Sequence, residues 1–158
     1  MQMRLKPLIK EAKAKSPWRV GNGVLYELCQ TRPAHTKVPD VIAKVWLIGR
    51  SYAAAIERRK NKSGQNDDFY IDVVAPAIIS SQIDRWIKTA KKYNRPSEES
   101  LSTILMVHHK TTQLFNSISV LEKRSLASKY LHFQVPQIFF IYDTMAVQGL
   151  RMLGSLLP

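Results

Sequence analysis

The chain has 158 residues, of which 45% are apolar. That is the length and composition of one globular domain with a real core, not of a disordered segment. No run approaches the roughly 20 apolar residues of a membrane span, and no apolar signal region follows Met1. The single cysteine, Cys29, excludes an intrachain disulfide framework and argues against a cysteine-based zinc site. Cytoplasmic residence is the simplest expectation. The balance of 24 Lys+Arg against 12 Asp+Glu gives a net charge of +12. Such an excess favours a polyanionic partner through electrostatic attraction and counterion release. Nucleic acid, DNA before RNA, is the expected partner, with no role for a membrane.

The pattern is helical nearly throughout. Residues 3–15 are Lys-rich and read as an amphipathic helix interrupted near Pro7. Asn22 can cap a short helix over 23–31, which Pro33 stops. The clearest helix is 41–59, where Val41, Val45, Ile48, Tyr52 and Ile56 repeat at helical spacing. Gly49 costs it about 1 kcal/mol relative to Ala, which a close helix crossing would explain. Residues 60–68, KNKSGQNDD, read as an exposed polar loop. Residues 69–94 are helical again, with Pro76 either a kink or the first turn of a second helix. Ser97, followed by Glu98 and Glu99, starts another helix, because acids favour the positive N-terminal end. A further helix spans 122–133 and ends before Pro136. An apolar run, 138–142, stops abruptly at Asp143, and a last helix follows over 144–153. The apolar end, Leu156-Leu157-Pro158, suggests burial. The resulting class is all-α: one domain over 1–158 with short loops.

Asp143 is the most informative residue. It reads as an N-cap, its carboxylate accepting N–H groups of the first turn. A carboxylate carried by an apolar segment to a helix N-terminus is also how some enzymes hold a reactive acid, and the residues leave both readings open. As a plain cap it should tolerate replacement by Asn, which caps about as well. Lys129 is a candidate amine nucleophile if desolvation or a cationic neighbour lowers its pKa; otherwise it is a surface lysine.

The segment 127–143 resembles the region before the catalytic aspartate of helix-hairpin-helix DNA glycosylases, especially the compact 8-oxoguanine type. In that family an Ala-Ser-x-aromatic-Leu helix leads through an apolar segment to Asp at a helix N-terminus. The matching residues are Ala127, Ser128, Tyr130 and Leu131, then Phe139-Phe-Ile-Tyr-Asp143. The resemblance implies a compact multi-helix scaffold and base-excision chemistry at Asp143. Two features depart from the family. Residues 117–126 lack the Gly-x-Gly turn whose N–H groups hold a DNA phosphate. Ser125 stands where lyase-type members carry their Schiff-base lysine.

Candidate phosphate contacts follow from charge clustering: Lys15 and Arg19, then Arg58, Arg59 and Lys60, then Lys123 and Arg124. Arg85, Lys88, Lys91, Lys92 and Arg95 form a further basic patch. Arg50 is a candidate because its planar fork matches phosphate; its structural alternative is a salt bridge to neighbouring helices, and Glu57 lies two turns on, close to the same helix face. Trp18, beside Lys15 and Arg19, is the best candidate for stacking on an unpaired base. His108 and His109 project about 100° apart on a helix and cannot easily share a metal; a hydrogen-bonded core histidine is the expectation for His108. Asp67, Asp68 and Asp72 lack the alternation and glycine of a calcium loop. Phosphate-loop, nucleophile-elbow and dinucleotide motifs are absent, so no metal or cofactor is expected. The alternatives to an enzyme are a non-enzymatic nucleic-acid-binding module and a basic protein-interaction module on the same scaffold.

Overall fold

The computed structural model of the protein describes residues 17–58 and 68–154. The expected helix over 3–15, nearly all of the polar loop, Asp67 and the apolar end at 156–158 lie outside the described residues. Within them 71% are helical and none is in a strand, so the all-α expectation holds. The helices are α1 (Pro17–Thr31), α2 (Val38–Ser51), α3 (Ala75–Ile79), α4 (Ile83–Ala90), α5 (Glu98–Ser119), α6 (Arg124–Gln134) and α7 (Thr144–Gly154). A π-helical turn, Tyr70–Val74, leads directly into α3.

The helix α6 is the centre. It buries Leu126 through Leu131, Phe133 and Gln134, and it packs against α5, α2 and α1. Each fully buried Leu or Phe contributes roughly 1.5–3 kcal/mol. A helix apolar all round is a core helix, and the mixture here is instructive: Ser128 and Lys129 are buried among the apolar residues. The neighbouring helices each present one apolar stripe to this cluster. Val41, Val45 and Ile48 come from α2, Ile83 and Ile87 from α4, and Val107, Phe115 and Ile118 from α5. By contrast α7 has no buried residue.

Several boundaries differ from expectation for visible reasons. Asn22 does not start a helix; it sits inside α1, and its side-chain oxygen accepts the Tyr52 hydroxyl at 2.8 Å. The helix α2 stops at Ser51, eight residues short of the expected end. It closes with the paired bonds of a Schellman ending: Ala54 N–H to Gly49 O at 2.8 Å and Ala53 N–H to Arg50 O at 3.3 Å. This places Ala53 at φ 51. Gly49 is needed by this turn and not by a crossing helix, since a Cβ there would stand 3.2 Å from the Ala55 Cα. Ile56 is still buried, but from the turn beyond the helix. Pro76 starts α3 at its first turn, and Ser80–Gln82 separates α3 from α4.

At the start of α5, Ser97 caps with a reciprocal bond to Ser100. The α5–α6 hairpin turns through Val120, which adopts φ 56, the left-handed region where glycine is the unstrained choice. Its turn amides are spent internally. Val120 N–H meets Asn116 O at 2.7 Å, Leu121 N–H meets Ser119 Oγ at 3.3 Å and Lys123 N–H meets Asn116 Oδ1 at 2.7 Å.

Two buried polar groups tie the α1–α2 connection to the core. Lys44 of α2 donates to the carbonyls of Arg32 and Ala34, each at 3.0 Å, filling acceptors just past the end of α1. His35 lies with Nδ1 2.5 Å from Asp84 and Nε2 2.6 Å from the Tyr130 hydroxyl.

Candidate functional site: the Asp143 cleft

Asp143 is delivered to its place by α6. Ile138 and Phe139 are buried and anchor the segment before it. Ser128 then clamps the backbone: its hydroxyl oxygen accepts the Tyr142 N–H at 3.0 Å. Its single proton can be donated to the carbonyl of Ser125 or of Tyr142, each 2.9 Å away. The next residue caps α7. Asp143 Oδ1 accepts the Ala146 N–H at 2.9 Å, as expected for an N-cap.

Its other carboxylate oxygen is occupied as well. Lys129 Nζ lies 3.1 Å from Asp143 Oδ2, with side chains 5% and 25% exposed respectively. The ammonium also donates to Ser125 Oγ at 2.9 Å and toward Tyr52 O at 3.4 Å, and it stands 5.7 Å from the centre of the Tyr52 ring. The Ala146 N–H, then the Lys129 charge, outweigh partial burial and hold the Asp143 carboxyl below its ordinary range. Asp143 is therefore an anion at neutral pH. Asn offers only one oxygen to these two donors, so Asp143→Asn is not the neutral cap exchange expected from the sequence.

Asp143 opens into a cleft of about 490 Å³ whose wall includes Arg124, Ser125, Tyr142, Gln148 and Arg151. The Arg124 guanidinium lies 5.2 Å from the Tyr142 ring centre and 3.6 Å from Glu122, a further wall residue. Two guanidinium groups flank one fixed carboxylate. Such a cleft can hold an anionic ligand while the carboxylate faces a centre that develops positive charge or a water that must lose a proton. Ser125 lines it and Lys129 does not. Lys129 reaches the cleft through its pair with Asp143.

The remaining sequence candidates divide into three groups. Trp18, 61% exposed, has its ring 5.8 Å from that of Tyr52, which puts it one ring away from the Lys129 ammonium. Arg50 is paired to Glu57 at 2.5 Å and lies 5.9 Å from the Trp46 ring, so it forms a salt bridge, but to Glu57 just past its own helix and not to a neighbouring helix. Arg58 reaches Ala53 O at 3.5 Å, and Arg19 is exposed on α1. Lys123 is turned inward. It is 8% exposed, and its ammonium donates to Ala55 O at 3.0 Å and Arg58 O at 2.5 Å. That bond stitches the α5–α6 turn to the segment after α2 and leaves Arg124 as the surface cation of the pair. Lys15, Arg59 and Lys60 lie outside the described residues.

Sequence reasoning missed Arg151, Gln148, Tyr142 and Ser125 as wall residues. Thr144, Val147, Gln148 and Arg151 recur at i, i+3, i+4 and i+7, so the helical spacing after Asp143 carried that signal. The histidines are structural. His132 bonds Tyr26 at 2.6 Å and the Phe139 carbonyl at 2.7 Å. His108 is half-buried and hydrogen-bonded to the Arg124 backbone, as expected, although its Nε2 has no hydrogen-bond partner among the described residues. No cluster of His, Cys, Asp or Glu that could hold a metal exists among the described residues, and none of their helices is long and apolar enough to cross a membrane. Comparison with protein-family models, with curated proteins and with solved structures gave no match.

Proposed function

We propose that this chain is a cytoplasmic DNA-binding protein, built on a helix-hairpin-helix glycosylase-like scaffold, that breaks a base–sugar bond with Asp143. The observation that carries the reading is an ionised carboxylate, fixed by the Ala146 N–H and Lys129, in a cleft flanked by Arg124 and Arg151. The guanidinium groups hold the phosphates on either side of the target nucleotide. As the C1′–N bond breaks, its electron pair leaves with the base and positive charge grows on the sugar. Asp143 stabilises that charge and accepts a proton from the water whose oxygen bonds C1′. The products are a free base and an abasic sugar. Lys129 is buried beneath the carboxylate and its amine is not offered to the cleft, which favours hydrolysis over Schiff-base chemistry.

A second reading, a binding module without chemistry, is favoured by one observation. The α5–α6 turn amides of Val120, Leu121 and Lys123 are already bonded within the chain, so this hairpin grips no phosphate through them. Incubation of the protein with a panel of damaged duplexes, scored for released base and for abasic sites, tests the enzyme reading. Release from at least one lesion supports it. Binding to the duplexes with no release from any of them supports the module instead.

A further inference from the structure

The helix α4 carries a second concentration of charge. It buries Ile83, Ile87 and Ala90 and packs on α5, which turns Arg85 and Lys88 outward, with Lys91, Lys92 and Arg95 exposed just beyond its end. None of these five is ion-paired among the described residues, whose ion pairs lie elsewhere. The one acid of α4, Asp84, is committed to His35, although its side chain is 47% exposed. Its carboxylate accepts the His35 N–H at 3.0 Å and lies 2.5 Å from His35 Nδ1. Beside the stripe runs an open groove of about 500 Å³ between the 80–82 turn and α5, with Gln82, Trp86, Lys110 and Gln113 on its walls and no acidic residue among them. The Lys110 ammonium sits 5.8 Å from the Trp86 ring centre, and the indole N–H is buried with no hydrogen-bond partner among the described residues. The groove lining carries one cation, Lys110, and no anion.

We infer that the α4 face, from the Lys110–Trp86 groove to Lys92, is a phosphate-backbone track for an extended nucleic acid, separate from the Asp143 cleft. Arg85 and Lys88 lie three residues apart on one side of α4, and Lys92 follows in the turn just past its end. The inference rests on the proposed nucleic-acid reading and deepens it. A partner that touches both α4 and the cleft on α6 and α7 is a polynucleotide and not a free nucleotide. Contacts of this kind position without reading sequence.

The test compares the intact chain with R85E/K88E/K92E and, as a milder set, R85A/K88A/K92A. Affinity for a 20-base-pair duplex is titrated against salt, and R124E/R151E serves as the cleft variant. Phosphatidylserine vesicles serve as the other anionic surface. The expected result is at least a tenfold weaker Kd for the Glu set, and a salt slope lower by about 2 to 3 for both sets, since each phosphate no longer neutralised lowers the slope by about 0.9. Unchanged affinity and slope in both sets, with tight duplex binding by the intact chain, overturns the α4 track and leaves the cleft reading standing. Loss of vesicle binding without loss of duplex binding overturns it in favour of a membrane surface. No duplex binding by the intact chain at low salt overturns both the track and the reading beneath it.

Discussion

The Lys129–Asp143 pair sets the energetics of the site. A charge this deeply buried is costly once one of its partners is removed. Asp143→Asn strands one of two donors, so a loss of about 1–3 kcal/mol is expected. Lys129→Met leaves the carboxylate its Ala146 bond and some solvent, and the double variant D143N/K129M removes both charges together. The double variant is therefore expected to be more stable than the sum of the two single losses, by about 1 kcal/mol or more in a denaturation cycle. Strict additivity would show that the two groups are not coupled. Asp143 was legible in the sequence because an apolar run ending in Asp before a helix is a local signal. Its partner was not. Lys129 lies 14 residues earlier, and tertiary contacts, the Ser128 clamp on Tyr142 and the His132 bond to the Phe139 carbonyl among them, fold the two segments together.

His35 gives a pH dependence. Burial first, and then the nearby Lys44 charge, hold its folded pKa below the ordinary 6.5, against the pull of Asp84. The folded state thus resists a proton that the unfolded state accepts, so stability is full above pH 6.5 and declines as pH falls below it. The half-buried His108 is shifted the same way by burial. Asp143 and Asp84 are held below 3.8, so their contribution is lost only at more acidic pH. The melting temperature is expected to be lower at pH 5 than at pH 7.5. An unchanged or higher value at pH 5 contradicts this assignment.

At the scale of the helix, two endings carry left-handed residues that are not glycine. Val120 is 56% exposed and β-branched at φ 56, so its side chain adds strain and little packing. Val120→Gly is expected to stabilise by about 1 kcal/mol, and Ala53→Gly by somewhat less. A higher denaturation midpoint at constant slope is the readout, and a lower midpoint for Val120→Gly would show that its side chain packs. These endings also explain what sequence could and could not give. Starts were legible where a polar cap or proline marks them, as at Ser97, Pro76 and Asp143. The end of α2 was not, because Tyr52, Ala53 and Ile56 continue the helical pattern. What stops the helix is the approach of Ala55 to Gly49, and a contact between residues brought together by the turn itself leaves no periodic trace.

Across the whole molecule, charge and apolar patterning were the most readable features. The helical stripes identified part of the core, such as Val41, Val45, Ile48 and Ile56, and the excess of cations is what suggests a polyanion. The sequence did not reveal which cations point outward. Lys44 and Lys123 are spent on backbone carbonyls inside, whereas Arg124 and Arg151 stand at a cleft. R124E/R151E is accordingly expected to weaken duplex binding more than K123M. Equal losses in a titration would mean that Lys123 contributes to the surface after all.

The most direct measurement is single-turnover base release from whichever damaged duplex the intact chain processes, run beside Asp143→Asn and Lys129→Met below their melting temperatures. Duplex affinity is measured in the same samples. Asp143→Asn is expected to keep binding within a few-fold and to lose release by at least a hundredfold, because the missing charge stabilises the transition state and not the bound duplex. Lys129→Met is expected to retain part of the activity, since it positions the carboxylate without touching the sugar. Full activity in Asp143→Asn, or no release by the intact chain from any lesion, contradicts the assignment of chemistry to Asp143 and reduces it to the cap of α7.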